Sequence, residues 1–280
     1  MSIKLMYITN SIPIAQIAQK AGVDRIWVDM EYIGKDERQA GLDTVKSHHT
    51  IQDIKRLRPY IHKAELMVRV NPIHAGSERE INDTINAGAD LIMLPMFKTV
   101  YEVERFIDIV SGRTKTILLI ETKEAVENLE EILAVPGIDE VHIGLNDLHL
   151  SYGQKFMFEL LADGTVEKII DKIKKYDYKY GFGGIARIGY GLLPAELILR
   201  EHYRLKSEMA ILSRSFCNAN HVTNFEQIDK LFSTEVNNIR IEEEKIIGLS
   251  GLELEENRKI VCDKVQEIIF NCDEGNKSDR

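Results

Sequence analysis

Short apolar runs rich in β-branched residues alternate with longer stretches of helical period along most of the chain. This alternation is typical of repeated strand–helix units, which build a parallel sheet covered by helices. Eight such runs are present: Lys4 to Thr9, Arg25 to Met30, Glu65 to Val70, Asp90 to Leu94, Thr116 to Ile120, Glu140 to Ile143, Gly183 to Ala186 and Met209 to Ser213. Eight strands, each followed by a helix, predict an α/β fold of the closed (β/α)8 type, the TIM barrel.

The stretches between these runs have the amphipathic period of helices. They are Ile12 to Ala21, Glu78 to Ala87, Tyr101 to Val110, Lys123 to Ala134, Val166 to Lys175 and Ala195 to Arg204. Three helix-to-strand connections contain a glycine directly after the helix, at Gly22, Gly88 and Gly137. Glycine there supplies the left-handed conformation that ends a helix, so the similar turns favour one repeated unit.

The pattern changes after Asn220. Two charged helical stretches follow, Phe225 to Ile247 and Glu253 to Phe270. We therefore assign residues 1–220 to the barrel with additional C-terminal helices in residues 221–272 and a frayed tail in residues 273–280. Some 50 residues of charged helix offer too little apolar surface for a second domain, so these helices either pack on the barrel or contact a neighbouring subunit.

Charge and cysteine content exclude several classes of function. The net charge of −9 and a pI of about 5.5 leave no general field that attracts nucleic acids or anionic membranes. No apolar run reaches the length of a membrane span, and the first ten residues have the pattern of a strand rather than a signal peptide. Three widely spaced cysteines suggest neither a disulfide framework nor a zinc site. We expect a cytoplasmic protein.

Carboxylates follow two neighbouring strands of the predicted barrel, at the end where barrel enzymes build their active sites. Glu121 follows the fifth strand and Asp147 the sixth. Two carboxylates completed by water are a usual way of holding Mg²⁺ or Mn²⁺. Arg69 ends the otherwise apolar third strand, where an unpaired charge is unfavourable, so we expect it to face the same point. A divalent cation beside a guanidinium stabilises an oxyanion, which favours enolate chemistry on a 2-oxo acid.

Further polar residues lie at or near other strand ends. Asp29 and Glu31 lie at the end of the second strand, and one of them could pair with Arg69 or Arg25. Arg187 and Arg214 follow strands seven and eight, the sector where barrels often bind phosphate. They either recognise an anionic substrate tail or pair with acids. His149, two residues after Asp147, is a candidate acid or base.

At these residues the sequence resembles the HpcH/HpaI aldolase and citrate lyase β-subunit family. The matching segments are Asp29-Met30-Glu31, Val68-Arg69-Val70-Asn71-Pro72, Ala87-Gly88-Ala89-Asp90, Met93-Leu94-Pro95-Met96, Ile120-Glu121-Thr122-Lys123-Glu124-Ala125 with Asn128-Leu129, and Val135 to Asp139 through Ile143-Gly144 to Asp147-Leu148.

The resemblance implies a metal-dependent lyase of class II type that uses Mg²⁺, or Mn²⁺ or Co²⁺. It implies that Glu121 and Asp147 bind the metal and that Arg69 polarises the keto oxygen. The backbone near Gly144 and Asn146 would receive the substrate carboxylate. The resemblance also implies a homo-oligomer built on dimers, or a trimer or hexamer, in which the helix near residues 225–247 packs on a neighbouring subunit.

Two positions depart from the aldolase pattern. Family members that cleave 4-hydroxy-2-oxo acids carry a histidine base directly after Asp-x-Glu, where this chain has Tyr32, and a glutamine where it has Leu119. Tyr32 is therefore a candidate catalytic residue, although a phenol is a weak base near neutral pH. The short connection between strands four and five resembles that of the citrate lyase β branch.

Three interpretations follow. The first is a carbon–carbon lyase that acts through the enolate of pyruvate or a related 2-oxo acid. The second is an acyl-CoA lyase of the citryl or malyl type, with an acyl thioester as substrate. The third is a barrel that has lost catalysis and has a binding or assembly role.

Overall fold

The computed structural model describes residues 2–34, 49–213, 216–217 and 224–278, with side chains as far as residue 271. Eight parallel strands close into a barrel in chain order, β1 to β8, which confirms the predicted fold. The strands are β1 Lys4–Ile8, β2 Arg25–Asp29, β3 Glu65–Arg69, β4 Leu91–Leu94, β5 Lys115–Ile120, β6 Glu140–Ile143, β7 Lys179–Ile185 and β8 Met209–Leu212.

Twelve α-helices lie in the described part of the chain, most of them around the barrel. They are α1 Ile12–Ala21, α2 Ile51–Leu57, α3 Ser77–Asn86, α4 Val100–Val110, α5 Lys123–Glu127, α6 Leu129–Leu133, α7 Leu145–Ser151, α8 Glu159–Ala162, α9 Thr165–Ile173, α10 Ala195–Leu205, α11 Phe225–Ile247 and α12 Gly251–Ser278. None of the helices within these described ranges is both long enough and apolar enough to cross a membrane.

Apolar side chains in the middle of the barrel separate polar residues at its two ends. Its middle is filled by buried side chains that include Trp27, Met67 and Leu119. At the N-terminal end Arg25 donates to both oxygens of Glu140, at 2.6 and 2.7 Å, and to Glu65 at 2.8 Å. This pairing neutralises the buried Arg25. Arg25 is therefore not the partner of Asp29. The polar residues that are candidates for an active site lie at the other end of the barrel, at the C-terminal ends of the strands.

Two predicted elements have different bounds in the structure. Strand β7 begins at Lys179, four residues before the predicted start at Gly183. Glycine lowers strand propensity, which explains the short prediction, but at Gly181 a side chain would collide with the backbone of Met209. The helix predicted over 123–134 is two short helices, α5 and α6, which meet at Asn128.

The C-terminal helices pack on their own barrel. In α11 the ring of Phe232 lies 4.9 Å from that of Tyr7, and the Glu243 carboxylate accepts the Ile3 N–H at 2.7 Å. Helix α12 is anchored by Asn257, which donates to the Leu197 carbonyl on α10 at 3.1 Å. It continues to Ser278, into residues 273–280 where we predicted a frayed tail. A subunit contact through residues 221–272 stays a prediction.

Candidate active site

The second and third strands bring an arginine and two carboxylates together. Asp29 and Arg69 are register partners, and Arg69 donates from Nε to Asp29 Oδ1 and from Nη2 to Asp29 Oδ2, each at 2.8 Å. Its Nη2 also lies 3.2 Å from Glu31 Oε2, and its Cζ is 5.0 Å from the centre of the Trp27 ring. Burial lowers the pKa of Arg69, but attraction by Asp29 and Glu31 outweighs burial and raises it above its ordinary value. Arg69 is a fixed cation at this end of the barrel.

Glu121 lies at the centre of the candidate site. It follows β5, is 2% exposed, and its Oε1 accepts the Met96 N–H at 3.0 Å. Met96 has a φ of 53°, a left-handed backbone that is unusual for a residue other than glycine. Burial raises the pKa of Glu121 well above its ordinary value, repulsion from Glu31 and Asp147 raises it further, and Arg69 opposes the rise. Residues from four strand ends therefore act on one carboxyl group.

Gly144 and Asp147 complete this cluster from the sixth strand. A Cβ at Gly144 would lie 3.0 Å from Glu121 Oε2 and 3.1 Å from Glu121 Cβ, so the absence of a side chain lets Glu121 lie against the backbone. Asp147 is in the first turn of α7. Its Oδ1 is sealed from solvent and has no hydrogen-bond partner within the described residues. An unpaired buried carboxylate oxygen is unfavourable unless a cation binds it.

These carboxylates fit the divalent cation that the family resemblance implies. Glu121 and Asp147 repel one another, and a bound cation would turn that repulsion into attraction. No group of three or more metal-binding side chains occurs in the described parts of the chain. Mg²⁺ commonly keeps several waters and is bound by only one or two protein carboxylates, so a two-carboxylate site suits it.

Arg187 lies two residues after β7, at the same end of the barrel. Its guanidinium carbon is 4.1 Å from the centre of the Tyr190 ring, and its Nε is buried with no partner in the described structure. Arg214, the other arginine predicted in this sector, lies outside the described residues.

Comparison with known proteins places the chain in a family. Residues 5–159, more than half of the chain, match the model of HpcH/HpaI aldolase/citrate lyase. The chain belongs to this family.

Relatives in the HpcH/HpaI family are distant in sequence. The 2-keto-3-deoxy-L-rhamnonate aldolase of Escherichia coli K12 is 24% identical over 169 residues, which are 50% of this chain and 58% of the relative. The chain thus spans a little over half the length of the curated relatives it matches. An HpcH/HpaI aldolase/citrate lyase family protein from Burkholderia cenocepacia J2315 has a TM-score of 0.60 at 16% identity, covering 76% of this chain and 88% of that one.

Two further solved structures share the fold. The HpcH/HpaI aldolase from Desulfitobacterium hafniense DCB-2 has a TM-score of 0.60 at 17% identity and covers 76% of this chain and 86% of that chain. The citrate synthase SbnG has a TM-score of 0.57 at 15% identity and covers 87% of this chain and 95% of that chain. Identities this low support a common fold and carry no statement about substrate.

Tyr32, which replaces the family's histidine, lies on the rim with its side chain 66% exposed. Its backbone, not its hydroxyl, is held: the Tyr32 and Ile33 N–H groups both donate to Asn71 Oδ1 at 3.0 Å. Asn71 also donates to Glu80 at 2.7 Å and to the Met30 carbonyl at 3.3 Å. Asn71 therefore fixes the segment that carries Glu31. A catalytic role for Tyr32 stays a prediction.

Helix α7 separates His149 from Asp147. Positions two apart on a helix differ by about 200° in direction, so the two side chains leave opposite faces. His149 is buried, and its Nδ1 lies 3.1 Å from the Leu145 carbonyl of its own helix.

Asn146 is exposed at the start of α7, which Gly144 precedes. The first N–H groups of a helix have no partner within it, which suits a carboxylate as predicted at Gly144 and Asn146.

Two contacts of the site were missed from the sequence, and a third was left open. The bidentate bond of Arg69 to Asp29 was one alternative among several, and neither the Met96 N–H nor the Asn71 network was predicted. The segment Arg69-Val70-Asn71 contains the only available signal for Asn71, because a polar side chain two positions after Arg69 lies on the same side of the strand.

Proposed function

We propose that the protein is a metal-dependent carbon–carbon lyase that acts through the enolate of pyruvate or a related 2-oxo acid. The observation that carries the proposal is the convergence of Arg69, Glu31 and Asp147 on the buried Glu121. Membership of the HpcH/HpaI family supports a class II aldolase-type lyase.

Glu121 and Asp147 would hold the divalent cation, which supplies a Lewis acid for the 2-oxo oxygen. Arg69 orients the same oxygen. Its Nε and Nη2 are bound to carboxylates, whereas Nη1 has no hydrogen bond to a described residue and is not sealed from solvent. The guanidinium is locked in place by Asp29, so it stabilises developing enolate charge without having to reorient.

The proposed cleavage of a 4-hydroxy-2-oxo acid is balanced without a further reactant. The 4-hydroxyl gives its proton to a base of the site and the C3–C4 bond breaks, which releases an aldehyde. The electron pair of that bond becomes the enolate of pyruvate, and a proton returned to C3 gives pyruvate. The N–H groups at the start of α7, next to Gly144 and Asn146, would bind the substrate carboxylate.

Exchange of the pyruvate methyl protons in D₂O tests this proposal, because it needs only enolate formation. We expect exchange with Mg²⁺, Mn²⁺ or Co²⁺ and none after chelation. Glu121→Gln and Asp147→Asn should each weaken Mn²⁺ binding and slow exchange by at least about 100-fold. Glu124→Gln is the matched control because the Glu124 side chain is 46% exposed and pairs with Lys98 at 2.8 Å.

No exchange with any of the three metals would contradict the lyase proposal and favour a barrel with a binding or assembly role. An acyl-CoA lyase of the citryl or malyl type is the second candidate. Only five residues, 95–99, connect β4 to α4. This connection is too short to cover the mouth of the barrel beside β4, so it leaves space for a large acyl thioester there. Saturable binding of acetyl-CoA by calorimetry, with exchange of its methyl protons, would favour this candidate.

A further inference from the structure

Arg187 is a partly buried arginine without a carboxylate partner. Within the described residues its guanidinium makes no hydrogen bond and no ion pair, and Nε is sealed from solvent. Other arginines with little exposure are paired. Arg25 and Arg204 each contact at least two carboxylates within 3.0 Å. The chain has a net charge of −9, so carboxylates that could pair with an arginine are abundant in it. Because Arg187 pairs with none of the described ones, it is a candidate to bind an anion from outside the chain.

The loop after β7 is built to hold Arg187 in one orientation. The Tyr190 N–H donates to the Arg187 carbonyl at 3.0 Å, and the Ala195 N–H donates to the Tyr190 carbonyl at 3.1 Å. Gly189 donates to Glu196 at 3.0 Å. These bonds keep the Tyr190 ring over one face of the guanidinium, at 4.1 Å. A stacked guanidinium presents its edge donors in a fixed plane, which suits bidentate binding of an oxyanion.

The position of Arg187 connects it to the proposed site. Strand β7 pairs with β6, which leads to Asp147, and with β8, which leads to Cys217. Burial raises the pKa of the Cys217 thiol, and the Tyr7 hydroxyl and the charge of Arg187 oppose that rise. Arg187 therefore lies in the β7–β8 sector of the mouth, where barrel enzymes commonly bind phosphate.

We infer that Arg187, stacked on Tyr190, binds a terminal carboxylate or phosphate of the substrate, so that the aldehyde released by carbon–carbon cleavage is anionic. This inference rests on the proposed lyase function for the reaction, but the anion site itself does not depend on it. The 2-oxo acid end of the substrate occupies the Arg69 and Glu121 side, and the anionic end reaches toward β7.

Aldol addition of pyruvate to matched pairs of aldehydes tests the inference. One pair is glyceraldehyde 3-phosphate and glyceraldehyde, and the other is succinic semialdehyde and butanal. We expect the wild type to prefer the anionic member of at least one pair in kcat/KM, and the pair that shows the preference identifies the anion. In Arg187→Ala this preference should fall by about 10- to 100-fold, mainly through KM, because a charge-assisted bidentate bond is lost.

One variant acts as the control for this experiment. Arg105→Ala removes an arginine from the outer helix layer, where its side chain is 45% exposed, and should keep the preference. Equal preference in Arg187→Ala and the wild type, or no anionic preference in the wild type, would overturn the inference.

Direct binding distinguishes failure of the anion site from failure of the lyase proposal. Calorimetric titration with inorganic phosphate and with succinate needs no turnover. If pyruvate exchange is absent but one of these anions binds about 10-fold more weakly to Arg187→Ala, the lyase proposal fails and the anion site stands. Equal affinities of both anions for the wild type and Arg187→Ala would rule the site out.

Discussion

Arg69 binds both carboxylate oxygens of Asp29, through Nε to Oδ1 and through Nη2 to Oδ2, each at 2.8 Å. Both residues lie at adjacent strand ends and are almost fully buried. The pairing commits Asp29 to holding the arginine, and it leaves Nη1 for a substrate oxygen. The same bond that satisfies a buried charge therefore orients the group that would stabilise an enolate.

Removing one member of this pair should strongly destabilise the protein. Arg69→Met removes the guanidinium that pairs with Asp29 and Glu31, and losing one partner of a buried ion pair costs about 3–5 kcal/mol. Urea unfolding at pH 7 measures the change in free energy of unfolding. Arg79→Met, at a side chain that is 91% exposed, should change it by less than about 0.5 kcal/mol. A loss below about 1 kcal/mol in Arg69→Met would contradict a structural role of the pair.

Gly144→Ala should weaken metal binding. The new methyl group would lie 3.0 Å from Glu121 Oε2, tighter than ordinary contact, so the Glu121 carboxylate must shift by a few tenths of an ångström. We expect Mn²⁺ affinity, measured by electron paramagnetic resonance, to fall by about 10-fold. Gly251→Ala is the matched control because no atom lies within 4 Å of its added methyl group. Unchanged Mn²⁺ affinity in Gly144→Ala would argue against Glu121 as a ligand.

Asn71→Ala should destabilise the segment after β2, although Asn71 contacts neither of the proposed metal ligands, Glu121 and Asp147. The substitution removes the side chain that accepts from the N–H groups of Tyr32 and Ile33, and each hydrogen bond lost costs about 0.5–1.5 kcal/mol. We expect about 1–3 kcal/mol less stability in urea and slower pyruvate exchange, because the segment that carries Glu31 is held less tightly. Tyr32→Phe, which changes only an exposed hydroxyl, should stay within about 0.5 kcal/mol of the wild type. If both variants unfold alike, the network does not hold this segment.

The fold was largely predictable because the barrel repeats one local pattern. Buried parallel strands need β-branched apolar runs, and all eight runs became strands. Strand β7 was underestimated because its glycines, which the close approach of Met209 requires at Gly181, look unfavourable in a sequence. Whether glycine is needed at such a position depends on the neighbouring strand, here at Met209. The sequence of one strand does not show which residue of its neighbour lies beside it.

The candidate site was predictable only where its residues lie at strand ends. Arg69 and Glu121 were found in this way, since the ends of parallel strands meet. The N–H that Met96 donates depends on a left-handed φ of 53°, and the stacking of Arg187 on Tyr190 depends on the path of a loop. Neither the backbone angle nor the loop path follows from residue type. His149 illustrates the converse, because closeness in sequence to Asp147 did not place it on the same helix face.

The free energy of unfolding should decrease as the pH is lowered, because two histidines are buried as neutral rings. His142 and His202 are 0% exposed, and burial lowers their pKa to about 4 and about 3. In the unfolded chain each titrates near 6.5, so below that pH the unfolded state binds more protons and is favoured. At pH 5 each histidine should cost about 2 kcal/mol relative to pH 7.5 in urea unfolding. His202→Gln should remove its share of this pH dependence, and His62→Gln, at an exposed position, should not. Parallel pH profiles for the wild type and His202→Gln would show that His202 does not cause the loss.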